Sequence, residues 1–143
     1  MNNSGEKVVL HFDIDASDFS SAGNASGNIK KVLTQLGVDP QCIRRVAIAM
    51  YEGEINMVIH ANGGAADVEI TPKEIKITLA DHGKGIENID LAMKEGYSTA
   101  TEAVRNLGFG AGMGLPNMKK YTDSMEIHSK LGEGTTVIMT VLI

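Results

Sequence analysis

Residues 39–85 read DPQCIRRVAIAMYEGEINMVIHANGGAADVEITPKEIKITLADHGKG, and this run decides the fold. Asp39-Pro40 is an N-cap followed by proline at the first helical position. Ile43, Val46, Ala47, Met50, Ile55 and Ile59 then supply apolar stripes at helical spacing. The predicted helix runs to about Asn62, where Asn62-Gly63-Gly64 stops it. Two short alternating runs follow, ADVEI and EIKITLA, separated by Thr71-Pro72-Lys73. They read as a hairpin. In the second run Ile75, Ile77 and Leu79 point one way while Lys76 and Thr78 point the other.

The flanks extend this reading. Upstream, KVVLHFDI at 7–14 alternates and predicts a strand. Ser20 to Gly27 reads as a loop or a weak helix start. Ile29, Val32, Leu33 and Leu36 follow at helical spacing, with Gly37 as the stop. Downstream, a short helix is expected over 88–95, then a long Gly- and Thr-containing connection over 96–114 of a length that is usually functional or mobile. A helix from about 115 to 122 and strands at 124–130 and 135–142, joined by LGEG, close the chain. Helices alternate with antiparallel pairs rather than single parallel strands. The expected class is therefore α+β: a two-layer α/β sandwich with a mixed, mostly antiparallel sheet and helices on one face. One domain over 1–143 is expected, with a flexible N-terminus at about 1–6.

Composition narrows the function. Of 143 residues 43% are hydrophobic and 22% charged, ordinary globular values. The net charge of -5 argues against a nucleic-acid or polybasic membrane protein, because affinity for phosphate polymers comes from clustered Lys and Arg. The single cysteine, Cys42, excludes an internal disulfide and a cysteine-based zinc site. No apolar run approaches the roughly 18 residues of a membrane helix, and the first residues lack a signal-peptide pattern. A soluble, cytoplasmic protein is the expectation. The 16 glycines stand out and cluster.

Four constellations carry possible chemistry. Glu52, Asn56 and His60 are at i, i+4 and i+8 on the long helix, so they share a face that drifts by about 40° per step. This could be the wet side of an amphipathic helix. It could equally face a ligand cleft, with Asn56 offering a neutral oxygen to Mg²⁺ and Glu52 activating a hydroxyl or water. Asp81-x-Gly83-x-Gly85 ends a strand. It is either a tight turn or a carboxylate that accepts a base's amino proton, with glycines beneath the ring. GFGAGMGLPNM at 108–118 leads glycines into a helix, as a hinge or as a polyphosphate cradle. Its spacing is neither a Walker loop nor a Rossmann fingerprint. Gly132-Glu133-Gly134-Thr135 is a hairpin turn in which Thr135 could offer its hydroxyl to a base edge.

The order and spacing of these pieces, E-x-x-x-N-x-x-x-H, D-x-G-x-G, a glycine-rich lead into a helix and G-x-G-T, resembles the ATP-binding domain of the gyrase, histidine-kinase and MutL (GHKL) superfamily, the Bergerat fold. The resemblance covers residues 7–143. Within that superfamily the chain looks like the short bacterial serine kinases of the anti-sigma and switch-kinase group. Glu95 to Thr99 and Gly110 to Pro116 resemble their ATP lid, about 96–114, and the total length has no room for a separate dimerisation or sensor domain.

What the resemblance implies follows position by position. Asn56 matches the magnesium ligand and Glu52 the acidic residue that activates the attacking hydroxyl. Asp81 matches the adenine-binding carboxylate, and Gly83 and Gly85 the glycines beneath the base. Gly110, Gly112, Met113 and Gly114 match the lid-to-helix segment around the triphosphate. Thr135 matches a threonine near adenine. Arg105 resembles a lid arginine that reaches the γ-phosphate, and His60 fits the pattern at a nucleotide-binding position. The implied cofactors are ATP and Mg²⁺. The implied function is a serine/threonine protein kinase that acts as an anti-sigma or switch factor and phosphorylates a STAS-type antagonist. A sigma factor is a further implied partner, and a homodimer the implied assembly, with no nucleic acid or membrane. Two alternatives stand beside it: a non-catalytic module that senses ATP or ADP, and an orphan histidine-kinase catalytic domain.

Overall fold

The computed structural model describes residues 7–15, 22–61, 63–83, 85–86, 89, 93 and 114–143. In chain order these form β1 (Val8–Ile14), α1 (Asn24–Gln35), α2 (Pro40–His60), β2 (Gly64–Ile70), β3 (Glu74–Asp81), α3 (Gly114–Lys120), β4 (Ser124–Lys130) and β5 (Gly134–Leu142). The five strands make one sheet in the order β1-β2-β3-β5-β4. The sheet expected to be mixed and mostly antiparallel is antiparallel at every described pairing.

Alternation decides which side of the sheet is covered. Val68 stands opposite Ile77, and Ile77 opposite Met139, so one apolar row crosses three strands. Leu10, Val68, Ile77 and Met139 all join the core that α1, α2 and α3 cover. The other face carries Asp67, Glu69, Lys76, Thr78 and Thr140, none of them fully buried. A period of two thus yields one apolar and one polar face, and the helices stack on the apolar one.

The long helix is not amphipathic in the simple sense. Cys42, Ile43, Val46, Ala49, Met50, Gly53, Glu54, Ile55, Met57 and Val58 are all buried, which takes up most of its circumference. It is buried because it lies between the sheet and two other helices. Gly53 lies close against β3: a Cβ there would stand 2.0 Å from Leu79 Cδ1, so a side chain at this position requires Leu79 to repack. Arg45 ties the far end. Its Nε donates to Tyr121 O at 3.2 Å and its guanidinium pairs with Asp123 at 3.1 Å. The Asp123 carboxyl also accepts the Leu142 N–H at 2.7 Å. That backbone bond, followed by Arg45, holds Asp123 below the usual carboxylate range. The turn after α3 is thereby fixed to both α2 and β5.

Helix α1 begins at Asn24, inside the segment whose sequence suggested a loop or a weak start. Gly23 is its N-cap and has no side chain to cap with. The cap comes from elsewhere. Glu54 of α2, 1% exposed, accepts N–H bonds from Gly23 (3.0 Å), Ala25 (3.2 Å) and Ser26 (2.7 Å). A carboxylate at a helix N-terminus satisfies orphan donors and complements the macrodipole. At the other end Gly37 N–H donates to Thr34 O and Val38 N–H to Leu33 O, a Schellman closure at the predicted glycine.

Two predictions follow from these contacts. Glu54→Gln leaves an amide NH₂ among backbone donors, and urea unfolding should show a loss of about 2–4 kcal/mol; a loss below about 0.5 kcal/mol would remove the cap from the account. On the edge strand, His11 Nδ1 lies 2.6 Å from Asp67 and Nε2 3.0 Å from Asp13, so both bonds are satisfied only by the imidazolium. The Asp67 bond, then the Asp13 bond, raise its pKa. The stabilising contribution is full below the unfolded-state value of about 6.5 and is lost as pH rises through the higher folded-state value. An NMR titration should place the His11 midpoint above that of a free histidine, and Asp67→Asn should lower it; an unmoved midpoint would contradict the pairing.

Candidate functional site

Strand β3 delivers Asp81 to the end of the sheet beside the last hairpin. Its Oδ1 accepts the Gly83 N–H at 2.9 Å and the Thr135 N–H at 3.1 Å. The carboxylate is fixed by backbone on two sides, and among the described residues no hydrogen bond falls on Oδ2. Thr135 is buried, and its Oγ1 lies 2.8 Å from Ser129 Oγ. Ser129 Oγ in turn accepts the Ile86 N–H at 2.7 Å, just past Gly85. Gly85 stands at φ 83 against Lys130 of β4. Asp81, Gly83, Gly85 and Thr135, far apart in sequence, therefore meet in one hydrogen-bonded corner. The turn after β3 is thus bonded into the closing hairpin rather than standing alone.

The second group lies on α2. Glu52 and Asn56 face α3. Asn117 Nδ2 donates to Glu52 Oε2 at 3.0 Å. Asn56 Nδ2 makes a long contact, 3.9 Å, to Met118 Sδ. A Cβ on Gly114 would stand 2.8 Å from both the nitrogen and the oxygen of the Asn56 amide. Only a glycine at the start of α3 lets the backbone lie this close to that side chain. Glu52 and Asn56 are half-buried. The face is covered by a helix, which decides against a wet side. Among the described residues the exposed positions of α2 are instead Pro40, Gln41, Arg44 and Tyr51.

A trough of about 400 Å³ opens beside Glu52. Gly23, Gly27 and Lys30 border it on the α1 side, Tyr51 and Glu52 on α2, and Asn117 on α3. Cys42 stays out of all this. It is buried, and desolvation raises its thiol pKa, the reverse of activation.

Of the sequence-predicted residues, His60 ends α2, but its side chain is outside the described part. Arg105, Gly110, Gly112 and Met113 fall outside the described residues, as do positions 96–113 of the expected lid over 96–114 and the expected flexible N-terminus at about 1–6; Gly114 begins α3. Of the helix expected over 88–95, Ile89 and Met93 are described, joined by the Met93 N–H to Ile89 O at 3.0 Å. Three contributors escaped sequence reasoning: Glu54, Asn117 and Ser129. Glu54 had a signal, being a carboxylate within an apolar stretch. Ser129 had none until the β4–β5 register placed it opposite Thr135. Asn117 had none beyond lying three residues after Gly114.

Comparison with known proteins agrees with this fold. The family model for the histidine kinase-like ATPase domain matches residues 16–141. A protein named anti-sigma F factor from Anoxybacillus flavithermus is 33% identical over 97 residues, covering 68% of this chain and 60% of the relative. The chain thus spans less than two thirds of that relative's length. The protein of the same name from Clostridium perfringens is 29% identical over 123 residues, covering 82% of this chain and 84% of the relative. The crystal structure of the RsbU and RsbW domains of a Mycobacterium tuberculosis protein superposes with a TM-score of 0.65 at 18% identity, over 94% of this chain and 32% of that one, a likeness of fold. Matched over most of its length, the chain belongs to the histidine kinase-like ATPase domain family.

Proposed function

We propose that the protein binds ATP with Mg²⁺ and transfers the γ-phosphoryl group to a serine or threonine of a partner protein, as an anti-sigma or switch kinase. The observation that supports this is a pair of local arrangements, which the reading takes as two ends of one site: Asp81 held through Oδ1 beside Thr135, and Glu52 with Asn56 against the start of α3. A fixed carboxylate whose Oδ2 takes no hydrogen bond among the described residues suits the adenine amino group. The close approach of Gly114 to Asn56 suits phosphates at the lead into α3.

In this reading Asp81, Thr135, Gly83 and Gly85 hold the base. Asn56 offers one neutral oxygen to magnesium, in keeping with an ion that retains several waters and takes few protein ligands. Magnesium, when bound, neutralises phosphate charge. Gly110, Gly112, Met113 and Gly114 follow the triphosphate, and Arg105 reaches the γ-phosphate from a lid over about 96–114. His60 lies on the same helix face. Glu52 takes the proton of the acceptor hydroxyl as the new O–P bond forms and the bond to the ADP oxygen breaks. Positioning and charge neutralisation supply most of the rest.

The relatives' name, anti-sigma F factor, supports a sigma factor as one partner; the STAS-type antagonist is the phosphoryl acceptor that this reading adds. We further take residues 1–143 as one domain that works as a homodimer in the cytoplasm, without nucleic acid. No helix among the described residues is long and apolar enough to cross a membrane.

The test couples labelled transfer from Mg-ATP to a purified STAS-domain antagonist with calorimetry of ATP. Glu52→Ala should lower transfer by about 10²–10⁴-fold and leave ATP affinity intact. Asp81→Asn should weaken ATP binding by about 1.5–3 kcal/mol. Equal loss of binding and transfer in Glu52→Ala would remove the proton-acceptor role. Unchanged affinity in Asp81→Asn would remove the adenine role. ATP binding with no transfer by the unaltered chain would leave a nucleotide-sensing module.

A further inference from the structure

Glu52 is not aimed by its own helix alone. A glutamate has three rotatable bonds, and a half-buried carboxylate left to itself samples several directions. Here Asn117 of α3 donates from Nδ2 to Glu52 Oε2 at 3.0 Å, and both side chains border the trough of about 400 Å³ between α1 and α2. Among the described residues the Asn117 side chain makes no other hydrogen bond. It is the fourth residue of α3, past the capping positions, and the residue of α3 that enters the core is its neighbour Met118. Among the described residues no hydrogen bond falls on Glu52 Oε1.

We propose that Asn117 is a positioning residue for phosphoryl transfer, pinning Glu52 through Oε2 so that Oε1 is held for an acceptor hydroxyl arriving from the trough. The residue type fits that task. An amide orients a carboxylate without a full positive charge, whereas a lysine there would make the carboxylate a weaker base. The placement on α3 also matters, because α3 starts at Gly114, against Asn56. The element that follows the phosphates is thereby the one that sets the proton acceptor. The proposal rests on the reading of Glu52 given above and adds a residue to it.

A double-mutant cycle with the same labelled transfer assay tests it. Asn117→Ala should lower kcat about tenfold, with the KM for the antagonist and the calorimetric affinity for ATP unchanged. Asn117→Asp keeps the shape but loses the donor, and should be at least as slow. In a Glu52→Ala background, Asn117→Ala should cause no further loss of the residual rate. The proposal is overturned if Asn117→Asp retains full kcat, because filling space would then suffice. It is overturned too if the Asn117→Ala loss persists undiminished without Glu52, or appears only in KM or ATP affinity. If Glu52→Ala itself leaves transfer intact, the reading of Glu52 fails first, and the cycle shows that separately.

Discussion

A carboxylate buried inside the protein, Glu54 of α2, closes the open end of α1 by accepting three backbone N–H bonds. This bond set is the constraint on which the helical layer depends. Burying a charge is costly unless it is fully hydrogen-bonded. A helix that starts at a glycine without a capping side chain is likewise incomplete by itself. Each defect is satisfied by the other, so α1 and α2 are held in one relative position. That position sets the trough, which Glu52 of α2 borders.

Three consecutive residues of α2 then point in three directions. Gly53 lets the helix settle on Leu79 of β3, in the strand that ends at Asp81. Glu54 holds α1. Glu52 meets Asn117 of α3. The helix that carries the proposed proton acceptor is thus pinned by the sheet, by α1 and by α3 within a single turn. The far corner is pinned in a different manner. Asp81 is held by the backbone of its own turn and of β5, so its position depends on the register of β3 with β5. The sheet fixes one end of the proposed site and helix packing the other. This division of labour suits a ligand as long as a nucleoside triphosphate, whose base and phosphates need separate supports.

Much of this was legible in the sequence, because its signals are local. Alternation gave the β2–β3 hairpin and the closing hairpin. Asp39-Pro40 and Gly37 marked helix ends where the structure has them. Spacing put Glu52 and Asn56 on one face, and the pattern of motifs brought Asp81 and Thr135 into one expected site. What stayed illegible is non-local. The start of α1 could not be read, because its cap lies about thirty residues downstream on another helix. The face of Glu52 and Asn56 could be wet or covered, and only the packing of α3 decides that. Asn117 belongs to no spacing rule, since its partner is on a different helix and its effect is a single hydrogen bond. Ser129 became visible only through the β4–β5 register, which places it opposite Thr135.

The central claim is that the Asp81 corner and the Asn56 face grip one adenine nucleotide between them. Isothermal calorimetry of the whole chain with ATP, in magnesium and again in excess chelator, addresses it most directly. The account predicts one nucleotide per chain, bound in both conditions and more tightly with magnesium. Heat indistinguishable from dilution in both would contradict it.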